Sequence, residues 1–417
     1  MKAASIAVDT IGCKLNQAES DALARDLITA GFRVIPSEQE ADVYVLNTCT
    51  VTHIADRKAR HLLRMAHRRN PDTFIIAIGC YAKRASSDLK SIEGVGLVIE
   101  DKQNQNLIEL IVEAGYKPNL EGETDYTFRT RAMLKIQHGC NRKCAYCIVP
   151  QTRGQELSIP AAQVIEEANR LIEDGFKEIV LTGTHIGSHD DLAGLIEQIL
   201  TETRIERLRL SSLQPTDITP SLLNLWQDER LCRHIHLPLQ SGCDSILDRM
   251  GRWYSTSEFK NAVTVAREAI PEISITTDVI VGFPDETEAE FAQSYNFCRL
   301  IEFANLHVFT YSPRPNTIAS TMKDLRPQIK KVRSNKMLDL AKELSQKFNS
   351  RYIGQTMLVL WEGENGKYTE GLTDNYIRVF TASKENLTNR ILPAKLASHH
   401  KTGLMGGLSH SQQNSSR

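Results

Sequence analysis

Residues 137–154, QHGCNRKCAYCIVPQTRG, carry three cysteines, Cys140, Cys144 and Cys147, in a C-x-x-x-C-x-x-C spacing. Cysteines this close gather three thiolates around one centre, the donor set of a soft metal site. Three ligands rather than four is the informative feature. An iron–sulfur cube held by three thiolates keeps one iron free of protein ligands, and a catalytic metal site needs an open position. The competing reading is zinc on the same cysteines with His138 as fourth ligand. Only Gly139 separates His138 from Cys140, which makes tetrahedral closure awkward.

The 417 residues suggest two or three domains rather than one. Fifty basic and 51 acidic residues leave a formal charge of −1, so nucleic acid must be met by local patches rather than a global field. Nine cysteines, an odd number spread over a large chain, disfavour a secreted disulfide framework and favour reduced thiols acting as ligands. The opening MKAASIAVD is a poor signal peptide, and nothing approaches the roughly 18 apolar residues of a membrane span. A soluble cytoplasmic protein is expected.

Before the cysteine loop, apolar runs at 5–8, 42–46, 74–78 and 97–99 alternate with amphipathic stretches at 15–30 and 53–69. This is the pattern of a parallel sheet with crossover helices over residues 1–120. Cys13, Cys49 and Cys80 each follow one of the first three runs. The C-terminal ends of parallel strands share one edge, where ligands collect, so a second cysteine triad is expected there. Three buried structural cysteines are the plainer alternative. The stretch after Cys49 carries Arg57, Lys58, Arg60, Arg64, Arg68 and Arg69 with only Asp56 opposing, a basic stripe suited to phosphates or simply a solvated face.

After the loop, strand-like runs at 133–136, 178–181, 207–210, 234–237, 275–281 and 305–309 alternate with helical ones, starting with residues 160–174. Six such units predict a partial parallel barrel over residues 126–350. Small and polar residues follow the strands: Thr182-Gly183-Thr184, Ser211-Ser212, Gln240-Ser241-Gly242 and Gly282-Phe283-Pro284. At the C-terminal rim of a barrel these would line a pocket. Cys232, Cys243 and Cys298 each stand alone and read as structural. A basic helix over 327–351 is expected to pack through Met337, Leu340 and Leu344 with its charges outward. Short alternating runs from 355 onward predict a small β-barrel over 351–400, where Tyr368 and Tyr376 are either core or base-stacking residues. Residues 401–417 read as a disordered tail.

The cysteine loop, with Tyr146 beside its last cysteine, resembles the radical S-adenosylmethionine (SAM) enzymes. DTIGCKLNQAES, NTCTVT and IGCYAKR resemble the N-terminal domain of methylthiotransferases, LTGTHIG, RLSSLQP, HLPLQSG and DVIVGFPDET their SAM-cradling segments, and GLTDNYIRV their RNA-gripping TRAM domain. The resemblance implies an α/β protein: an N-terminal parallel α/β domain, a central partial (β/α)6 radical SAM barrel and a C-terminal TRAM β-barrel. It further implies one 4Fe-4S cluster on Cys140, Cys144 and Cys147, a second on Cys13, Cys49 and Cys80, and SAM held by Tyr146, Gly183, Ser212, Gln240 and Gly282. The implied reaction adds a methylthio group at position 2 of N6-threonylcarbamoyladenosine in tRNA. Implied partners are tRNA, an electron donor such as flavodoxin or ferredoxin, and a sulfur source, with no membrane. GCKLNQAES and KIQHGCN point to this branch, since isopentenyladenosine-type enzymes more often read GCQMN. Isopentenyladenosine in tRNA, a ribosomal protein aspartate, and a non-catalytic iron–sulfur RNA-binding regulator stay open. Two positions depart from relatives: Asn316 stands for glycine in YSPRPNT, and QTRG at 151–154 replaces an aromatic-containing segment.

Overall fold

A computed structural model of the chain describes residues 2–100, 106–118 and 126–409. The N-terminal sheet contains β1 (Ser5–Thr10), β2 (Arg33–Ile35), β3 (Val43–Thr48), β4 (Phe74–Gly79) and β5 (Val95–Val98) in the order β2-β1-β3-β4-β5, all parallel. Between them run α1 (Lys14–Thr29) and α2 (His53–Arg69). The Thr52 hydroxyl accepts from the Ala55 amide at 3.2 Å and starts α2. Strand β2 is too short to show a period in the sequence. The boundary expected between residues 120 and 126 lies outside the described residues.

Six parallel strands make the centre: β6 (Arg131–Lys135), β7 (Glu178–Thr182), β8 (Arg207–Leu210), β9 (His234–His236), β10 (Ser274–Val281) and β11 (Asn305–Thr310). They form two three-stranded halves, β8-β7-β6 and β9-β10-β11. Single bridges, Leu208 to Leu231 and Ser212 to His236, join the halves into an open barrel. Helices Ala161–Glu173, Leu192–Glu202, Thr256–Ala269 and Glu288–Ile301 cover the outside, burying Leu171, Ile199, Phe259 and Phe291 against outward-facing Leu134, Leu181, Leu208 and Ile275. Helix α1 closes the open side, with Ala18 packed on Met133 and Val180.

The long helix Pro327–Ser350 buries Met337, Leu340 and Leu344 as expected. Its charges do not all face outward. Lys330 is buried and reaches Asp324 at 2.7 Å, and buried Arg333 reaches Glu286 at 2.6 Å. A charge can turn inward only when a partner waits there, and spacing along a helix does not reveal the partner.

Five strands, β12 (Thr356–Asn365), β13 (Tyr368–Thr373), β14 (Arg378–Thr381), β15 (Ile391–His400) and β16 (Gly403–Leu408), close a small barrel. The disordered tail expected from residue 401 is therefore corrected: β16 pairs with β15 and β14, and its glycine-rich GLMGGL passes where a side chain at Gly403 would strike the Arg378 carbonyl at 2.0 Å. Residues 410–417 lie outside the description. The segment GLTDNY grips the central barrel. Arg207 donates to the Leu372 carbonyl at 3.0 Å, Arg233 to Asp374 at 2.6 Å, and Tyr376 stacks on His234 with ring centroids 4.2 Å apart. These contacts sit at the N-terminal ends of β8 and β9, the end of a barrel that serves stability.

Candidate active site

Cys13 and Cys49 follow β1 and β3, the two strands at which the order of the N-terminal sheet reverses, and Cys80 opens a short helix after neighbouring β4. A reversal point leaves a crevice beyond the strand ends, which brings the three loops together. Cys49 has Cys13 and Cys80 among its electrostatic neighbours. Gly12, at φ 123°, lets the chain pass Cys49 where a Cβ would lie 2.8 Å from its Cβ. Burial, reinforced by the other two thiols, pushes the Cys49 thiol up to about 12. Such thiols stay protonated until a cation binds them.

Cys140, Cys144 and Cys147 lie in the loop after β6, at the C-terminal end of the central barrel, and border a cavity of about 410 Å³ with Asn316 and Thr317. Burial, with Cys144 and Cys140 beside it, pushes Cys147 up to about 12. Arg252 donates to the Cys144 sulfur at 3.4 Å, with its guanidinium 4.3 Å from the Trp253 ring centroid. Tyr146 packs against Ala145, Met250 and Phe283, with the Arg252 guanidinium and the Cys144 and Cys147 sulfurs as its electrostatic neighbours. His138 does not join this triad. It borders a cavity of about 740 Å³ with Cys80, Arg153 and Glu19, rather than the cavity that the three cysteines border. Among the described residues no His, Cys, Asp or Glu group is tight enough for a single ion. A cluster of four irons spreads its thiolates wider than one ion does.

The expected cofactor contacts lie at the same strand ends. Gly183, just past β7, lets Gln137 approach where a Cβ would sit 2.9 Å from the Gln137 Cβ. The Gln137 amide oxygen then accepts from the Thr184 and His185 amides at 2.9 and 3.0 Å, tying this loop to the cysteine loop. Ser212 pairs with His236 where the two halves of the barrel meet. Gln240 holds φ 65°, a left-handed conformation sustained by the Asp278 carbonyl, which its amide reaches at 2.8 Å. Gly282, at φ 70°, donates to Glu286 at 2.9 Å and faces the Lys330 stem. Both glycines thus serve close packing against protein.

Several buried polar atoms near the cysteine loop make no hydrogen bond among the described residues: Thr184 Oγ1, Trp253 Nε1, and Glu156 Oε1 and His185 Nδ1, which face each other at 3.9 Å. Buried polar groups ordinarily find partners, so this concentration of donors and acceptors suits a polar molecule bound against the loop. Glu156 and Arg252 fall outside the cysteine and glycine motifs of the sequence, and His185 lies within LTGTHIG, where the spacing alone gives it no role.

The two triads are physically linked. Arg153, six residues after Cys147, donates to Asn16 Oδ1 and, at 2.9 Å, to Glu19, both on α1. The Cys13 thiol in turn donates to Asn16 Oδ1 at 3.6 Å. Asp56, read as the lone acid of the basic stripe, is buried and receives Arg314 of YSPRPNT at 2.7 Å and Arg84 at 3.1 Å. Arg57, Lys58, Arg64 and Arg68 stay exposed, whereas Arg60 donates to the Tyr81 hydroxyl at 2.7 Å. The two departures from relatives meet: Gln151 donates to the Asn316 carbonyl at 2.8 Å, and Asn316 adopts the left-handed φ of 60° that the replaced glycine suggests.

The chain matches the Radical SAM superfamily over residues 134–298 and the Uncharacterized protein family UPF0004 over residues 5–100. It is 36% identical to Threonylcarbamoyladenosine tRNA methylthiotransferase MtaB of Bacillus subtilis (strain 168), covering 94% of each chain. It is 31% identical to tRNA-2-methylthio-N(6)-dimethylallyladenosine synthase of Thermodesulfovibrio yellowstonii, covering 98% of this chain and 99% of that one. The fold resembles that of the radical S-adenosylmethionine methyltransferase TsrM of Kitasatospora setae, with a TM-score of 0.57 at 14% identity over 76% of this chain and 77% of that one.

Proposed function

The chain belongs to the radical SAM methylthiotransferases, and from that premise we propose that it methylthiolates position 2 of N6-threonylcarbamoyladenosine in tRNA. The family carries a 4Fe-4S cluster and SAM; in this chain Cys140, Cys144 and Cys147 would hold that cluster, and Cys13, Cys49 and Cys80 a second one. Held there, the first cluster and SAM would supply one-electron chemistry able to break an unactivated C–H bond, which no side-chain acid or base can do.

The chain's own residues do the rest. Arg252 donates to the Cys144 sulfur and sets positive charge beside the cysteine loop. Tyr146, Ser212 and Gln240 would frame SAM, with Gly183 and Gly282 packing the strand-end loops closely behind them and Thr184 Oγ1, which makes no hydrogen bond to the described residues, as a further contact. Arg153 and Asn16 keep the loops of the two triads in register. An electron donor such as flavodoxin or ferredoxin and a sulfur source complete the turnover.

The observation that carries this reading is the pair of cysteine triads, one at the edge of the N-terminal sheet and one at the rim of the central barrel, joined through Arg153 and Asn16. The test is mass spectrometry of tRNA nucleosides from a strain that lacks the modification and expresses this chain. The 2-methylthio derivative of N6-threonylcarbamoyladenosine is expected. Its absence, or methylthiolation of isopentenyladenosine alone, would overturn the assignment.

A further inference from the structure

The interior of the central barrel is polar. Parallel barrels usually fill their interiors with bulky aliphatic side chains. Here Leu134, Leu181, Leu208, Ile235 and Ile275 face the outer helices. By strand alternation Glu178, Arg209, His236, Asp278 and His307 face in.

Nearly all of these groups have protein partners. Arg209 pairs with Glu178 at 2.7 Å, Arg131 with Glu362 at 2.6 Å, and Asp278 with His236 at 3.3 Å. Lys14 is the exception. It is the first residue of α1, which closes the barrel's open side; burial pushes its amine down from the ordinary lysine value, and Tyr376, Arg131, Arg209 and Asp278 are its charged or phenolic neighbours. Among the described residues it forms no hydrogen bond and no ion pair, and the nearby Asp278 carboxylate is already shared by His236 and His307. Ser211 Oγ and His234 Nδ1, on the inward faces of their chains, are also buried and unpartnered. Among the described residues the interior therefore keeps one lysine amine and two neutral polar atoms without a protein partner, the complement of a carboxylate that carries a hydroxyl group nearby.

We propose that Lys14 is the specificity residue that receives the threonine carboxylate on the N6 arm of the substrate adenosine, with Ser211 and His234 available to its hydroxyl. The inference rests on the functional reading above. Once its amine is carbamoylated, threonine offers one carboxylate and one hydroxyl, whereas a dimethylallyl arm offers neither. The placement follows from connectivity. Lys14 adjoins Cys13, so the ammonium and the proposed sulfur site lie on consecutive residues. Position 2 and position 6 of adenine, the latter bearing N6, flank the same ring nitrogen, so a base that turns position 2 to that site carries its N6 arm along the same edge.

The experiment compares binding of three anticodon stem–loops to the full-length, cluster-reconstituted protein by fluorescence anisotropy. One carries N6-threonylcarbamoyladenosine, one its threonine methyl ester, and one unmodified adenosine. Wild type should prefer the acid to the ester by about tenfold or more, as expected for a charge-assisted contact to a half-buried lysine. Lys14→Gln should bring that ratio near one, and Lys14→Arg should retain it. Iron content and melting temperature, measured alongside, identify a misfolded variant, and Lys14→Arg then carries the comparison: loss of the acid preference there with normal iron content overturns the assignment. A Lys14→Gln protein that keeps the preference overturns Lys14 alone. A wild type that binds the acid and unmodified stem–loops alike strikes instead at the functional reading.

Discussion

Arg153, from the segment that follows the Cys140–Cys147 loop, donates to Glu19 of α1 at 2.9 Å, and both side chains are largely buried at the junction of the two α/β units. The same guanidinium reaches Asn16, which accepts from Cys13. One side chain therefore holds the loop of one cysteine triad against the loop of the other.

Replacing it tests that role. Removing one member of a buried pair strands the other, so Arg153→Met should cost about 2–4 kcal/mol; Lys135, 3.7 Å from Glu19, keeps the loss from being larger. Chemical denaturation should show the N-terminal unit uncoupled from the barrel, with two transitions replacing one. A single transition at the wild-type midpoint would remove Arg153 from the junction.

The cysteine triads should separate by function. Cys140→Ala should abolish reductive cleavage of SAM, whereas Cys49→Ala should spare cleavage and lose methylthio product. Production of 5′-deoxyadenosine by anaerobic reduced protein, followed by chromatography, reads the first activity. Equal loss of cleavage in both variants would break the division of roles.

The exposed face of α2 should meet phosphate. Arg57, Lys58, Arg64 and Arg68 are exposed on a helix whose buried side, Ala59, Leu63 and Ala66, packs into the N-terminal core. Reversing Arg64 and Arg68 to Glu should weaken tRNA binding and lower the slope of log affinity against log salt by about one per lost phosphate contact. An unchanged slope would make the stripe a solvated face.

Glu290 gives a pH signature. Partial burial favours its neutral form, but hydrogen bonds from the Thr287 amide and hydroxyl and from Ser245, with Arg249 at 2.7 Å, hold the carboxyl down at about 2. A carboxylate depressed in the folded state stabilises above its unfolded value, and that stability is lost as pH falls through the folded value. Urea unfolding of cluster-free protein should therefore show wild type more stable than Glu290→Gln by about 1–2 kcal/mol above pH 4.5, with the gap closing toward pH 2. A gap independent of pH would assign the effect to packing.

Much of the chain was legible in its sequence, for identifiable reasons. Cysteine spacing is a local property, and strand-then-cysteine repeats place Cys13, Cys49 and Cys80 at one edge by the rule of parallel sheets alone. Asn316 behaved as its chemistry suggests. What escaped depends on partners distant in sequence. Lys330 and Arg333 turn inward because Asp324 and Glu286 wait there, and Tyr376 leaves the small barrel's surface because His234 offers its ring. The strand Gly403–Leu408 hid behind composition: glycines that look like disorder are what let it pass close to Arg378. Arg153 lay within the stretch that decided the fold, yet nothing in the spacing named Glu19 or Asn16 as its partners.

The central claim is that this chain holds two iron–sulfur sites, one on each cysteine triad. The most direct measurement is anaerobic iron and sulfide analysis of reconstituted protein, comparing wild type with triple alanine variants of Cys13/Cys49/Cys80 and of Cys140/Cys144/Cys147. Two cubane clusters predict about eight irons in wild type and about four in either variant. About four irons in wild type, unchanged by removing the first triad, would contradict the account.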